Sequence, residues 1–426
     1  MRPWLIGVAA LAAAVGIIPW LSGLTPPQPV PEMPLAKVST SAEAMPPLPP
    51  AIPPMTGLDL THIALDDEGA SAPATAHRIA RLTIDPELQR TAVALMRSHT
   101  LPQASIVMTD PATGNVLVYA SRSESGPLHD ACAEATAPAA SVFKIITGSA
   151  LVQDAGLTPD TRECYSGGEH EISALDLEEN PQRDRWCVTL AGAMGRSVNT
   201  VFGRLAQQHL KPKSLEDMAA AYGFGDPVPF DVTGQASTLK LPADPLGYAR
   251  TAAGFWNSTL SPLQAAAIST TLARGGESVR LTIVREVHEP GGALIYSAQP
   301  SAPLRRVVAR ETAAAVTTMM EHTVGEGTSY RAFHDPSGAS FLPGVTVAGK
   351  TGTLSDADHL YTWFTGFAPS RTMAGVRPVA IAVLVVNHPT WHMKANVVAR
   401  EMLRAYFAQQ KVERVTRPAL GSVAKK

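Results

Sequence analysis

Cysteine is scarce in this 426-residue chain, three in all, too few to frame a disulfide-rich fold or to ligate an iron–sulfur cluster. Charge of one sign is missing too. Lys+Arg 35 against Asp+Glu 37 leaves a formal net charge of -2, with no basic face for nucleic acid. Proline at 36 and glycine at 32 stay below collagen-like or low-complexity levels. There is no internal repeat of about 20 to 50 residues, no G-x-S-x-G elbow and no H-E-x-x-H zinc pattern. Only one apolar run could span a bilayer, which excludes a multi-pass transporter. What is abundant is apolar material, 45% of the chain, enough for one large domain or two to three ordinary ones.

The apolar run, residues 4–24, holds no charged residue. As a helix it reaches about 30 Å, the thickness of the hydrocarbon core. Trp4 and Trp20 sit near its ends, and Arg2 places the N-terminus on the cytoplasmic side. We read residues 1–24 as an uncleaved membrane anchor. A cleaved signal peptide is the alternative, although the small-x-small triplet Ala42-Glu43-Ala44 lies well downstream. Either way the body of the protein lies outside the cytoplasmic membrane. Residues 25–55 hold eleven prolines, which favour extended polyproline II over helix. Residues 56–78 are small and polar, so 25–78 reads as linker. A folded domain is expected over 79–412, with a tail over 413–426.

Within that domain, Asp85-Pro86 opens a helix over 86–96. Two apolar runs, 104–109 and 116–120, flank Asp110-Pro-Ala-Thr-Gly114, a hairpin signal. Helices are expected over 141–153, 189–210, 262–272 and 312–324, strands over 346–348, 362–367 and 379–386, and a last helix over 401–410. Strands at both ends around a helix-rich middle predict an α+β fold, its sheet completed by the two chain ends.

Three short constellations could carry chemistry. In Ser141-Val-Phe-Lys144, residues three apart share a helix face, which brings the lysine amine within reach of the hydroxyl. A serine is a weak nucleophile until a base accepts its proton, and a lysine can be that base only if burial or a second cation lowers its pKa. Ser197-Val-Asn199 places a hydroxyl and an amide together at a helix break; such residues also cap helices. Lys350-Thr-Gly-Thr353 reads as the end of a buried strand, where Gly352 would admit a substrate backbone and Lys350 could attract a carboxylate.

Two other patterns carry little. Gly344-Val-Thr-Val-Ala-Gly-Lys350-Thr351 matches the phosphate-loop spacing, but a turn precedes it and no helical period follows, so no nucleotide is expected. His388 and His392 lack a carboxylate or cysteine partner in sequence and read as surface histidines; no metal and no cofactor is expected. The aromatic run Tyr361 to Pro369 reads as a core strand.

Taken together and in order, S-x-x-K, S-x-N and K-T-G are similar to the signature set of penicillin-binding proteins and serine β-lactamases. The chain resembles the transpeptidase domain of the former over residues 79–410. Leu82-Thr-Ile-Asp-Pro-Glu-Leu-Gln89, Asp110-Pro-Ala-Thr-Gly-Asn-Val-Leu117, Leu260-Ser-Pro-Leu-Gln264, Ala273-Arg-Gly-Gly276 and Trp363-Phe-Thr-Gly-Phe-Ala-Pro369 extend the likeness.

The resemblance implies a penicillin-binding/serine β-lactamase-like α+β fold, an antiparallel sheet with flanking helices and an all-helical subdomain. It implies a D,D-transpeptidase that crosslinks peptidoglycan stem peptides ending in D-Ala-D-Ala and is trapped by β-lactams. Ser141 would be nucleophile, Lys144 general base and Ser197 proton relay. Asn199 would hold the substrate amide, while Lys350, Thr351, Gly352 and Thr353 would bind the terminal carboxylate. The backbone N–H groups of Ser141 and Thr353 would form the oxyanion hole. With no room for a glycosyltransferase or pedestal domain before residue 79, the expectation is a minimal, monofunctional, class B-like enzyme on a single-pass anchor, facing the periplasm, with a membrane glycosyltransferase as partner. A D,D-carboxypeptidase or β-lactamase on the same fold and a non-catalytic penicillin-binding sensor or scaffold are the alternatives. On the oxidising side of the membrane, Cys164 and Cys187 are candidates for a disulfide and Cys132 for the odd thiol; three free, buried cysteines are the alternative.

Overall fold

The computed structural model describes residues 55–125, 129–168, 171–388 and 393–416, with side-chain surroundings through 410. Its centre is a five-stranded antiparallel sheet in the order Ala348–Ser355, Leu360–Ala368, Val379–Asn387, Gln103–Thr109, Val116–Ser123. Strands from both ends of the domain therefore share one sheet. Every residue of Val379–Asn387 is buried. With a side-chain period of two, Ile381, Val383 and Val385 enter one core while Ala380, Ala382, Leu384 and Val386 enter the other. A strand covered on both faces reads as an unbroken apolar run, which is why this one was legible.

The first face carries helices Pro86–Ser98 and Ala395–Thr416, through Leu88, Ala92 and Met96 of one and Val398, Met402 and Leu403 of the other. The Asp85 carboxylate caps the former, accepting the Glu87 and Leu88 N–H groups at 2.9 Å each. Against the second face lies helix Pro262–Ala273, apolar nearly all round and buried accordingly. Its two inward hydroxyls are matched: Thr270 meets Thr109 at 2.6 Å and Ser269 meets Thr365 at 2.7 Å. Beyond it stand helices Lys144–Gln153, Leu190–Arg196, Asn199–His209 and Arg310–Gly325. This helical part also carries the hairpin Arg162–Tyr165 and Trp186–Thr189, where a disulfide joins the paired residues Cys164 and Cys187. Cys132 is free and buried.

Three boundaries need correction. Residues 55–78 are not linker: Ala64–Asp66 pairs with Gly69–Ala74, which pairs with Arg78–Leu82; that strand pairs with Val284–His288, and Val284–His288 with Leu294–Ser297, to make a second five-stranded sheet. Met55, Leu58 and Leu60 join its core. Gly-Ala-Ser-Ala-Pro-Ala looks like spacer because its side chains are small, yet Ala70, Ser71, Ala72 and Ala74 are buried in a strand whose neighbour, Arg78–Leu82, pairs with the distant Val284–His288. The last helix starts at Ala395 and continues to Thr416, past the expected end of the domain at 412. The third correction concerns Lys350-Thr-Gly-Thr353, which lies inside a strand rather than at its end. The anchor at 1–24, the proline-rich stretch through 54 and the tail beyond 416 lie outside the described residues. Among the described residues no helix is long and apolar enough to cross a membrane.

Candidate active site

The turn Ala140–Phe143 leads directly into helix Lys144–Gln153. Ala140 adopts φ 48°, a left-handed conformation costly for a residue with a Cβ. Gly254 explains why the turn is held there, since a Cβ on it would come within 2.4 Å of the Ala140 carbonyl oxygen. One helical turn beyond Ser141, Lys144 is fully buried. Its Nζ lies 2.8 Å from Ser141 Oγ and donates to Asn199 Oδ1 at 2.6 Å and to the Ala253 carbonyl oxygen, which leaves the lone pair of the uncharged amine for the Ser141 O–H.

Ser197 ends helix Leu190–Arg196 in the left-handed region, φ 60°, and helix Asn199–His209 restarts two residues later. This kink is the helix break expected from the sequence. It aims Ser197 at the sheet and Asn199 at Lys144. Lys350, also fully buried, donates from Nζ to Ser197 Oγ at 2.9 Å and to the Thr351 carbonyl oxygen at 2.9 Å.

The strand bearing Lys350 runs in unbroken register from Ala348 opposite Phe367 to Ser355 opposite Leu360, at the sheet edge. Edge position leaves part of its backbone unpaired by the sheet, available to an extended peptide. A Cβ on Gly352 would lie 3.1 Å from Ala140 Cβ and 3.2 Å from Trp363 Cβ, so this glycine lets the strand press against the nucleophile turn. Trp363 fixes the same junction by donating Nε1–H to the Pro138 carbonyl oxygen at 2.9 Å. The strand continuation past Lys350 also disposes of the phosphate-loop spacing, because that loop needs a helix opening at its lysine.

The electrostatics follow from burial. Among the described residues both lysines bond only to neutral oxygens, so loss of water dominates and favours their uncharged forms. Lys144 is pushed well below the usual lysine range, by burial first and by the Lys350 charge second. Burial pulls Lys350 down to about 7. Two amines in one site cannot comfortably share full charge. Lys144 is the more depressed of the two, so the uncharged form is favoured there and any positive charge falls on Lys350.

Ser141, Ser197, Asn199, Thr351, Gly352 and Thr353 line one cleft of about 420 Å³, with Lys144 and Lys350 beneath it. Sequence reasoning missed other lining residues, including Arg196, Phe255, Thr328, Lys394 and Asn396. Arg196 directly precedes Ser197; the others belong to no motif, and only folding brings them here. No aspartate or glutamate is among the described residues that line the cleft. Asp356 caps the turn after the motif strand, accepting the Asp358 and His359 N–H groups at 2.9 and 2.7 Å. His388 lies exposed beside Glu124, 3.0 Å away, and His392 is outside the described residues. A larger groove of about 770 Å³, beside helices Pro86–Ser98 and Ala395–Thr416, holds no motif residue.

An activated serine, a buried amine to take its proton and a second amine behind another serine make a site suited to acyl transfer. Comparison with known proteins points the same way. The family model for the penicillin binding protein transpeptidase domain matches residues 104–407. The chain is 28% identical over 342 residues to the peptidoglycan D,D-transpeptidase PbpA of Mycolicibacterium smegmatis, a match covering 71% of this chain. It spans 66% of that relative's length, just short of two thirds. The fold is similar to the crystal structure of PBPA from Mycobacterium tuberculosis, with TM-score 0.63 and 25% identity over 77% of this chain and 80% of that one. It is also similar to the penicillin G acyl-enzyme complex of penicillin-binding protein A from M. tuberculosis, with TM-score 0.62 and 24% identity over 78% and 80%. The matched segment is well over half of the chain, which thus belongs to the penicillin binding protein transpeptidase family.

Proposed function

We propose that the protein is a serine-type peptidoglycan D,D-transpeptidase. The observation that carries this reading is the pair of lysine–serine contacts in one cleft, Lys144 to Ser141 at 2.8 Å and Lys350 to Ser197 at 2.9 Å. Neutral Lys144 takes the proton as Ser141 Oγ attacks the carbonyl of the penultimate D-alanine of a stem peptide. The backbone N–H groups of Ser141 and Thr353 receive the oxyanion, a contribution of a few kcal/mol. The amide bond to the terminal D-alanine breaks, and its nitrogen collects a proton relayed through Ser197. An amine of a second stem peptide then attacks the ester, Ser141 Oγ leaves and regains its proton, and the crosslink remains. Asn199 holds the substrate amide; Lys350, Thr351 and Thr353 receive the terminal carboxylate.

A β-lactam enters the same path as a mimic of D-Ala-D-Ala. Penicillin-binding protein A of M. tuberculosis forms such an acyl-enzyme with penicillin G. The lack of a carboxylate among the described cleft-lining residues favours an amine over water as second nucleophile, because water needs a base to activate it. The uncharged run 4–24 supports a single-pass anchor with the catalytic domain on the periplasmic side, beside a membrane glycosyltransferase that would supply glycan strands. The test is product analysis. The protein is given a peptide ending in D-Ala-D-Ala together with an acceptor amine, and the products are resolved by mass spectrometry. A crosslinked amide supports the reading. D-Alanine release without crosslink makes it a carboxypeptidase, and no turnover at all makes it a scaffold.

A further inference from the structure

Thr328 belongs to none of the three motifs, yet it lines the cleft with an exposed side chain. Its Oγ1 lies 2.6 Å from Thr351 Oγ1, a short hydroxyl–hydroxyl hydrogen bond. The segment that carries it is fixed from three sides. Thr328 N–H donates to the Gly195 carbonyl oxygen at 3.0 Å, two residues before Ser197. Gly327 packs so closely there that a Cβ on it would fall 2.1 Å from the same oxygen. Ser329, fully buried, accepts a hydrogen bond from Asn396 Nδ2 at 3.2 Å, at the start of the last helix. The loop after helix Arg310–Gly325 thus touches the Ser197 segment, the Lys350 strand and the last helix at once.

The direction of the Thr328–Thr351 bond has a chemical consequence. A hydroxyl has one proton to give and lone pairs to receive. A carboxylate can only accept, so Thr351 must spend its proton on the carboxylate, and its oxygen is then free to accept from Thr328. The geometry points to Thr328 as a positioning residue of the carboxylate subsite: it donates to Thr351 Oγ1 and turns the Thr351 proton toward the terminal carboxylate of the substrate. This rests on the reading of Thr351 as a carboxylate ligand. Thr328 completes a chain of two hydroxyls ending on an anion, in which each bond polarises the next. The residue selects for acyl donors that carry a free carboxylate beside the scissile amide.

The test compares the second-order rate of Ser141 acylation by penicillin G and by its neutral methyl ester. Thr328→Val keeps the side-chain shape and removes the hydroxyl. It is expected to slow penicillin G by about 5- to 10-fold, the worth of one hydrogen bond, and to leave the ester within about two-fold of wild type. Thr328→Ser should restore penicillin G to within about two-fold of wild type. Adding Thr328→Val to Thr351→Val should cause no further loss, since Thr328 acts through Thr351. Equal slowing of both probes by Thr328→Val overturns the proposal, as that is what a damaged loop would give; so does failure of the serine variant, or a further loss on the Thr351→Val background. If Thr351→Val separates the two probes and Thr328→Val does not, the proposal alone fails. If Thr351→Val also treats both probes alike, the carboxylate reading of Thr351 falls, and the role of Thr328 with it.

Discussion

Lys350 Nζ donates to Ser197 Oγ at 2.9 Å across 153 positions of the chain, joining a sheet edge to a broken helix. In the proposed mechanism this bond would let Ser197 give a proton to the leaving nitrogen and draw on the lysine behind it. Ser197→Ala should therefore slow acylation by penicillin about 10²-fold, the lower range for a positioned proton-transfer group. The check is a progress curve of covalent labelling for the variant against wild type, with the melting temperature measured alongside.

The two lysines impose opposite demands on pH. As the proposed base, Lys144 would have to be neutral to accept the Ser141 proton, and burial, with the Lys350 charge second, shifts it toward that form. As the proposed carboxylate ligand, Lys350 would have to be charged, and it loses that charge as pH rises through about 7. Acylation by penicillin G should consequently decline on the alkaline side of about pH 7, whereas acylation by its neutral methyl ester should not. Rate constants collected over about pH 5 to 9 with both probes make the comparison; parallel profiles would remove Lys350 from carboxylate recognition.

The turn Ala140–Phe143 depends on a residue outside every motif. Gly254 has φ +83°, and a Cβ there would lie 2.4 Å from the Ala140 carbonyl oxygen and 2.9 Å from Ser141 Cα. In Gly254→Ala both the backbone conformation and the contact are unfavourable, at a cost of about 2 kcal/mol or more. The variant should melt lower and acylate at least about tenfold more slowly. Unchanged melting and labelling would mean that the Ala140 turn is not braced from this side.

The contact between Ser141 and Lys144 was legible because helix geometry fixes what lies three residues apart, whatever the rest of the chain does. The break at Ser197 was legible for a similar local reason. What could not be read is which residues meet across the cleft. Thr328 approaches Thr351 only because Gly195 and Gly327 admit close packing of two backbones, and no local spacing encodes that. The central strand Val379–Asn387 announced itself by unbroken apolarity. Gly69–Ala74 did not, since alanine and serine are as much at home in a linker as in a well-packed sheet.

That last misreading yields a prediction. A chain starting at residue 55 keeps Met55, Leu58, Leu60 and both N-terminal strands, and it should fold and label with penicillin. A chain starting at residue 79 strips the edge of Arg78–Leu82 and uncovers that core, so it should aggregate or melt markedly lower. Gel filtration and labelling of the two truncations decide the matter. Equal behaviour would show that the second sheet contributes nothing to the domain.

The most direct measurement is the fate of penicillin G on the intact protein, followed by mass spectrometry of the whole chain and of its peptides. The account predicts one adduct of unfragmented penicillin on Ser141, formed with Lys144 as base and lasting many minutes, because no carboxylate among the described lining residues stands ready to activate water. Ser141→Ala should abolish it, and Lys144→Ala should slow its formation by at least about 10²-fold. An adduct on any other residue, or hydrolysis of the drug within seconds, would contradict the assignment.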